Sequence, residues 1–224
     1  MKKLLYLLII PFLLSCGDDN DDPTPPNSTD VVYTVTFNYN WNATNFPVDY
    51  PSGAHFSPLI GWSHKASFNY FATGKKPTAG IEIMAETGAT ATLKSELEAE
   101  ISSGNGYKAY VGQGHSSGVG SVSIDITVNK DNSAISLVTM IAPSPDWYVG
   151  AIAVDLIENG EFINSKIIDG VIYDAGSDDG VTFTSANADT NPKKNISVFV
   201  DAPLGNGTTI TPTFATISFK KKSN

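Results

Sequence analysis

The stretch Tyr173–Gly180, YDAGSDDG, sets Asp174, Asp178 and Asp179 within six residues and separates them with small side chains. Two such charges about 4 Å apart repel by roughly 1 kcal/mol in water and about 4 kcal/mol at an effective dielectric of 20. A compact loop therefore either aims the carboxylates apart or gathers them around a cation. The spacing does not fit an EF-hand, which needs oxygen ligands at positions 1, 3 and 5, glycine at 6 and glutamate at 12. Counted from Asp174, position 3 is Gly176, position 6 is Asp179 and position 12 is Ser185. Asp174 and Asp178 nevertheless flank Ala-Gly-Ser, a run that can turn tightly enough to bring both carboxylates to one point. A second acidic residue, Asp146, stands in PSPDWYVG (143–150), where prolines stiffen the loop and Trp147 can shield one side. If the two loops meet, three carboxylates converge and backbone carbonyls can complete a calcium shell. The alternative is that Asp174 caps a turn while Asp178 and Asp179 face water.

Other residues offer less. Gly114-His115-Ser116-Ser117-Gly118 spells the GxSxG pattern of a serine nucleophile. That chemistry needs a strand before the serine and a helix after it, whereas VGSVSIDITV downstream alternates as a strand. The three histidines, His55, His64 and His115, lack the i, i+4 spacing of a helical zinc site and have no second cysteine to support one. Packing or surface hydrogen bonding accounts for them. There is no P-loop and no GxGxxG.

The elements that must position these loops read mainly as strands. Tyr33, Val35, Phe37, Tyr39 and Trp41 alternate with polar residues, as do Val122, Ile124, Ile126 and Val128. AISLVTMIA (134–142) and GAIAVDLI (150–157) are nearly continuous apolar runs, as in central strands covered on both sides. FINSKIIDGVIY (162–173), NISVFV (195–200) and ITPTFATISF (210–219) are further strand candidates. Turn signals such as Asn159-Gly160 and Gly205-Asn206-Gly207 separate them. One segment reads as helix: in TLKSELEAEI, Leu93, Leu97 and Ile101 share a face, with Thr92 as N-cap. Many short strands and one short helix predict an all-β protein, an antiparallel β-sandwich. The terminal KKKSN reads as a solvated end.

Composition bounds the partners. The 224 residues suit one domain with a tail. The formal net charge is −9, with 14 lysines and no arginine. No basic stripe or guanidinium fork is available for nucleic acid. MKKLLYLLIIPFLLSC has the anatomy of a signal peptide, an apolar run too short to span a bilayer. Leu13-Leu14-Ser15-Cys16 resembles the bacterial lipobox, in which a lipid is attached to the cysteine. Cys16 is the only cysteine, so no intramolecular disulfide is possible. Loss of residues 1–15 would leave 12 lysines against 23 carboxylates, a net −11. GDDNDDPTPPNSTD then reads as an acidic, Pro-rich tether. Its acidic cluster resembles the surface-export signal of Bacteroidetes lipoproteins. The expected organisation is a signal peptide over 1–15, a lipidated cysteine and tether over 16–30, and one domain over 31–220. The expected location is the outer membrane at the cell surface, with a periplasm-facing anchor as the alternative.

HFSPLIGWSH (55–64), GIEIMAETG (80–88), PSPDWYVG (143–150) and YDAGSDDG (173–180), in this order, resemble the spondin domain, the amino-terminal module of F-spondin and mindin that also occurs in bacterial proteins. The likeness spans about 31–220. It implies an antiparallel β-sandwich related to calcium-dependent lipid-binding modules, with one bound calcium. The family's calcium aspartates lie in its SPDW motif and at the two aspartates of DAGTDSG, which fall here on Asp146, Asp174 and Asp178. The chain departs from the pattern in three places: Ser177 replaces threonine, Asp179 replaces serine, and Trp62 stands where small residues are common. Asp179 is a candidate additional ligand. Animal members carry disulfides that this chain cannot form, so a bound ion should matter more for its stability. Those members act in matrix adhesion and integrin or microbial-surface recognition, and none of that partner biology transfers by resemblance.

The expected function is a lipid-anchored, extracytoplasmic, calcium-binding module for adhesion or ligand binding. It is not expected to be an enzyme, and its protein or glycan partner is unnamed by the sequence. The first rival is a glycan-binding accessory lipoprotein, with Trp147, Tyr148 and Trp62 stacking on sugar rings, although a core role competes for each. The second is a hydrolase, which lacks a convincing base.

Overall fold

The computed structural model describes residues 30–223. Its elements in chain order are β1 (Val31–Asn40), β2 (His55–Phe56), β3 (Ile60–His64), α1 (Ala79–Thr87), α2 (Ala91–Ser102), β4 (Gly106–Val111) and β5 (Val119–Val128). They continue with β6 (Ala134–Ala142), β7 (Trp147–Asp155), β8 (Ile157–Glu158), β9 (Glu161–Phe162), β10 (Ser165–Asp169), β11 (Val171–Asp174), β12 (Ser197–Val198) and β13 (Ala215–Lys221). The sheet order β10-β13-β1-β5 faces a larger sheet ordered β12-β11-β7-β6-β3-β4, with β2 added at the end of β6. All pairings are antiparallel. The all-β sandwich expected from the sequence is what forms, without a closed barrel. No helix of the described residues is long and apolar enough to cross a membrane.

The alternation in β1 explains the smaller sheet. Tyr33, Val35, Phe37 and Tyr39 are buried between the sheets with Val122, Ile126, Ile217 and Phe219, while Thr34, Thr36 and Asn38 face outward. The larger sheet is covered twice. Ile135, Leu137 and Val149 face the inter-sheet core. Ile60, Trp62, Val138, Met140 and Tyr148 face a second core made with Ile81, Met84, Leu93 and Leu97 of the two helices. Burial on both faces is why β6 is apolar at almost every position.

Among the described residues two helices form where the sequence predicts one. In α1 the Thr78 hydroxyl accepts the Ile81 amide at 3.2 Å, and Gly88 closes the helix in the left-handed region at φ 72°. The second helix starts earlier than expected: Thr90 is its N-cap position, and Thr92 lies inside it. Glu96 of α2 binds the start of α1, accepting the Gly80 amide at 2.8 Å and the Thr78 hydroxyl at 2.6 Å. The run NISVFV yields only the two-residue β12, and Lys220 and Lys221 of the expected solvated end belong to β13.

Candidate functional site

Asp146 closes the turn between β6 and β7, one residue ahead of Trp147. The turn is held by the Trp147 amide, which donates to the Ser144 hydroxyl at 3.1 Å. The Asp146 side chain is 0 % exposed. Its Oδ2 accepts the Ser177 amide at 2.7 Å, the Asp178 amide at 3.1 Å and the Ser177 hydroxyl at 3.2 Å. Its backbone carbonyl accepts the Ala175 amide at 3.2 Å. The PSPD turn and the acidic loop, thirty residues apart, are thus one joined unit. Oδ1 of Asp146 is buried with no hydrogen-bond partner. Burial, and then the nearby Asp174 charge, push the Asp146 carboxyl up to about 6, against the pull of the Ser177 and Asp178 amides.

Asp174 ends β11, registered between Trp147 of β7 and Ser197 of β12. Its Oδ1 accepts the Gly176 amide at 2.7 Å. Burial raises its pKa, opposed by the Gly176 amide and the Lys194 charge. Gly176 turns the loop at φ 74°, and its carbonyl accepts the Lys194 amide at 2.7 Å. Asp178 is also nearly buried, with Oδ1 accepting the Gly180 amide at 2.6 Å and Oδ2 the Ala188 amide at 3.1 Å. Asp179 points elsewhere. Its carboxylate accepts the Thr190 hydroxyl at 2.8 Å and pairs with the Lys194 ammonium, which together hold its pKa down.

A cleft of about 210 Å³ is lined by Trp147, Asp174, Asp178, Asp179, Lys194 and Asp201, among others. The loops therefore meet, as the spacing argument required, at one end of the sandwich. Among the described residues, no three His, Cys, Asp or Glu side chains converge closely enough to hold a metal ion as they stand. Asp174 and Asp178 are turned onto amides of their own loop. Sequence reasoning missed Asp201 and Lys194, which arrive on the return of the chain through β12. The only signal for Asp201 was its place before Ala202-Pro203 at the start of a turn.

The other candidates do not assemble. His64 is buried, with Nε2 2.8 Å from the Ser136 hydroxyl and its ring stacked on Trp62. His55 and His115 bond to the carbonyls of Gly53 and Ser117 on exposed segments. Ser116 lies in an irregular connection leading into β5, without the strand-turn-helix context of a nucleophile. Trp62, Trp147 and Tyr148 are all buried, Trp147 stacking on Phe199 and Tyr148 on Tyr173. None presents a ring to a sugar; the core alternative is where they are. Cys16 lies outside the described residues.

The family described as Spondin_N matches residues 31–203. Spondin-2 of Rattus norvegicus and of Homo sapiens are each 32 % identical to the chain over 169 residues, covering 74 % of it and 51 % of the relative. Spondin-1 of Gallus gallus is 31 % identical over 170 residues, covering 73 % of the chain and 21 % of the relative. The chain thus spans about half the length of the spondin-2 relatives and about a fifth of spondin-1.

Proposed function

Since the chain belongs to the spondin N-terminal domain family, we propose that it is an extracytoplasmic, calcium-binding module for adhesion or ligand binding, anchored through a lipid on Cys16. The observation that carries the calcium reading is the buried, unpartnered Oδ1 of Asp146. An uncompensated buried charge is costly, and a divalent cation with oxygen preference is the group that would offset it. The donor set fits: Asp146, Asp174 and Asp178 supply hard carboxylate oxygens beside loop carbonyls. Asp174 and Asp178 would have to turn from their loop amides toward the ion. When bound, calcium would neutralise three carboxylates. It would also lock the PSPD turn to the acidic loop, and leave a coordination position for a carboxylate or sugar hydroxyl of a partner. The names of the relatives identify no partner, and the partner of this chain is proposed only as a protein or glycan. The burial of Trp62, Trp147 and Tyr148 argues against aromatic stacking as the mode of sugar capture.

The deciding experiment is thermal melting of the protein in calcium and in chelator. Calcium should raise the melting temperature, and an unchanged melting temperature would refute the site.

A further inference from the structure

The end of the sandwich opposite the acidic cleft holds a groove lined by lysines. At its start, β1 pairs Val31 with Val128 and Tyr33 with Lys221. The chain then turns from Val128 into β6, which runs to Ala142 just ahead of Asp146. The start of β1 and the cleft therefore lie at opposite ends, roughly 30 Å apart for ten strand residues at about 3.3 Å each. At the β1 end a groove of about 730 Å³ is lined by Asp30, Lys166, Ile167, Lys220, Lys221 and Lys222, among others. Four of the 14 lysines gather there on a chain of net charge −9.

Among the described residues, two of these four lysines are ion-paired and two are not. Lys166 pairs with Glu158 at 3.2 Å and Lys222 with Asp125 at 2.7 Å, both in exposed settings where such pairs are weak. Among the described residues, Lys220 and Lys221 have no carboxylate partner. Asp30, the acid in the groove, accepts the Tyr107 hydroxyl at 2.7 Å. Ile167 is 73 % exposed beside them. Lysines around an exposed apolar side chain are the combination that suits a charged lipid interface.

We propose that this lysine-lined groove docks on the phosphate-bearing headgroups of an anionic membrane and holds the acidic cleft away from it. The inference rests on the lipid anchor at Cys16. Asp30, where the described chain begins, lines the groove itself, fourteen residues after Cys16. Even fully extended, those residues reach only about 50 Å. The anchor keeps the domain near the bilayer, and the groove lysines, acting against the carboxylates of the acidic tether, set which end faces it. Each lysine near an anionic surface strengthens the contact about fivefold, while the carboxylates of the other end are repelled by the same surface.

The test uses the full-length lipidated chain with Ile167→Cys, dye-labelled at that position. It is reconstituted in vesicles of phosphatidylcholine alone or mixed with phosphatidylglycerol. On anionic vesicles the dye should be shielded from an aqueous quencher several-fold more than on neutral ones. High salt should abolish the difference, and the combined Lys220→Gln and Lys221→Gln substitutions should reduce it sharply. Equal quenching on both vesicles, or shielding unchanged by the lysine substitutions, overturns the proposal. So does equal shielding in neutral detergent micelles, which would place an acidic peptide segment or a second copy in the groove. A chain that leaves both kinds of vesicle refutes the anchor and this arrangement with it. A chain that stays on both while the dye is indifferent refutes the docking alone.

Discussion

Oδ2 of Asp146 accepts the backbone amide of Ser177 at 2.7 Å, thirty-one positions further along the chain. One carboxylate oxygen thereby joins the two halves of the candidate site through protein contacts alone. The other oxygen, Oδ1, is left buried without a partner. The first oxygen is structural in this arrangement, and the second is the one a cation would satisfy.

Asp146→Asn separates those two roles. Asparagine keeps an acceptor for the Ser177 and Asp178 amides and removes the buried charge. In chelator the variant should melt at or above the parent, because the charge no longer has to be held in a dry site. Its response to calcium should vanish. At calcium a hundredfold above the dissociation constant the parent gains about 2.7 kcal/mol. At about 2–4 °C per kcal/mol for a domain of this size, that is roughly 5–11 °C in thermal scans. An Asp146→Asn protein with the full calcium shift would place the ion elsewhere.

Asp179→Asn should behave differently. The parent carboxylate is occupied by Lys194 and Thr190 on an exposed flank. The substitution should leave both the melting temperature and the calcium response near those of the parent, whereas Asp178→Asn should weaken the response. Calorimetric titration of calcium into the two variants makes the comparison. Equal losses would make Asp179 a ligand.

Gly176→Ala should harm the site through the backbone. At φ 74° a side chain is strained, and its Cβ would lie 2.8 Å from the Lys194 carbonyl oxygen. Gly74 has a similar φ of 82° but nothing within 4 Å of an added Cβ. Denaturant melts should show about 1 kcal/mol lost in Gly74→Ala and clearly more in Gly176→Ala. Equal losses would mean that the Lys194 backbone yields easily.

Acid sensitivity should trace in part to His64. Burial lowers its pKa, against the pull of the Lys65 and Phe68 carbonyls. The unfolded chain therefore takes up a proton near pH 6.5 more readily than the folded one. The resulting stability is present above that pH and is lost as pH falls below it. His64→Gln should flatten the fall in urea midpoint between about pH 7 and 5 relative to the parent. Asp146, with its carboxyl raised to about 6, acts in the opposite direction in chelator. Comparing parent and variant at each pH removes that shared contribution. Parallel profiles would show that His64 protonates freely in the fold.

Much of this architecture was legible because one face of a strand meets water. β1 and β5 alternate for that reason, and their pairing follows. The five residues of β3, all buried, show no alternation and escaped notice. So did α1, whose signals were the caps Thr78 and Gly88 rather than a long apolar period. The two apolar runs were expected to be covered on both sides, and α1 with α2 supplies the cover, which places Trp62 and Tyr148 in a core rather than open to sugars. Local spacing suggested Asp174 and Asp178, the Pro-rich turn suggested Asp146, and the resemblance to the spondin pattern joined the three. Asp201 and Lys194 could not be found that way, because only the return of the chain past β12 brings them to the cleft.

β1 leaves the groove and lies between β13 and β5, hydrogen-bonded on both sides. If the chain is anchored ahead of Asp30 and a partner is held at the far end, tension runs along β1. Antiparallel neighbours on both flanks then resist together, because the strand must slide past all its hydrogen bonds at once rather than peel them singly. The first strand of the domain is placed to bear load in shear, the geometry of a mechanical tether.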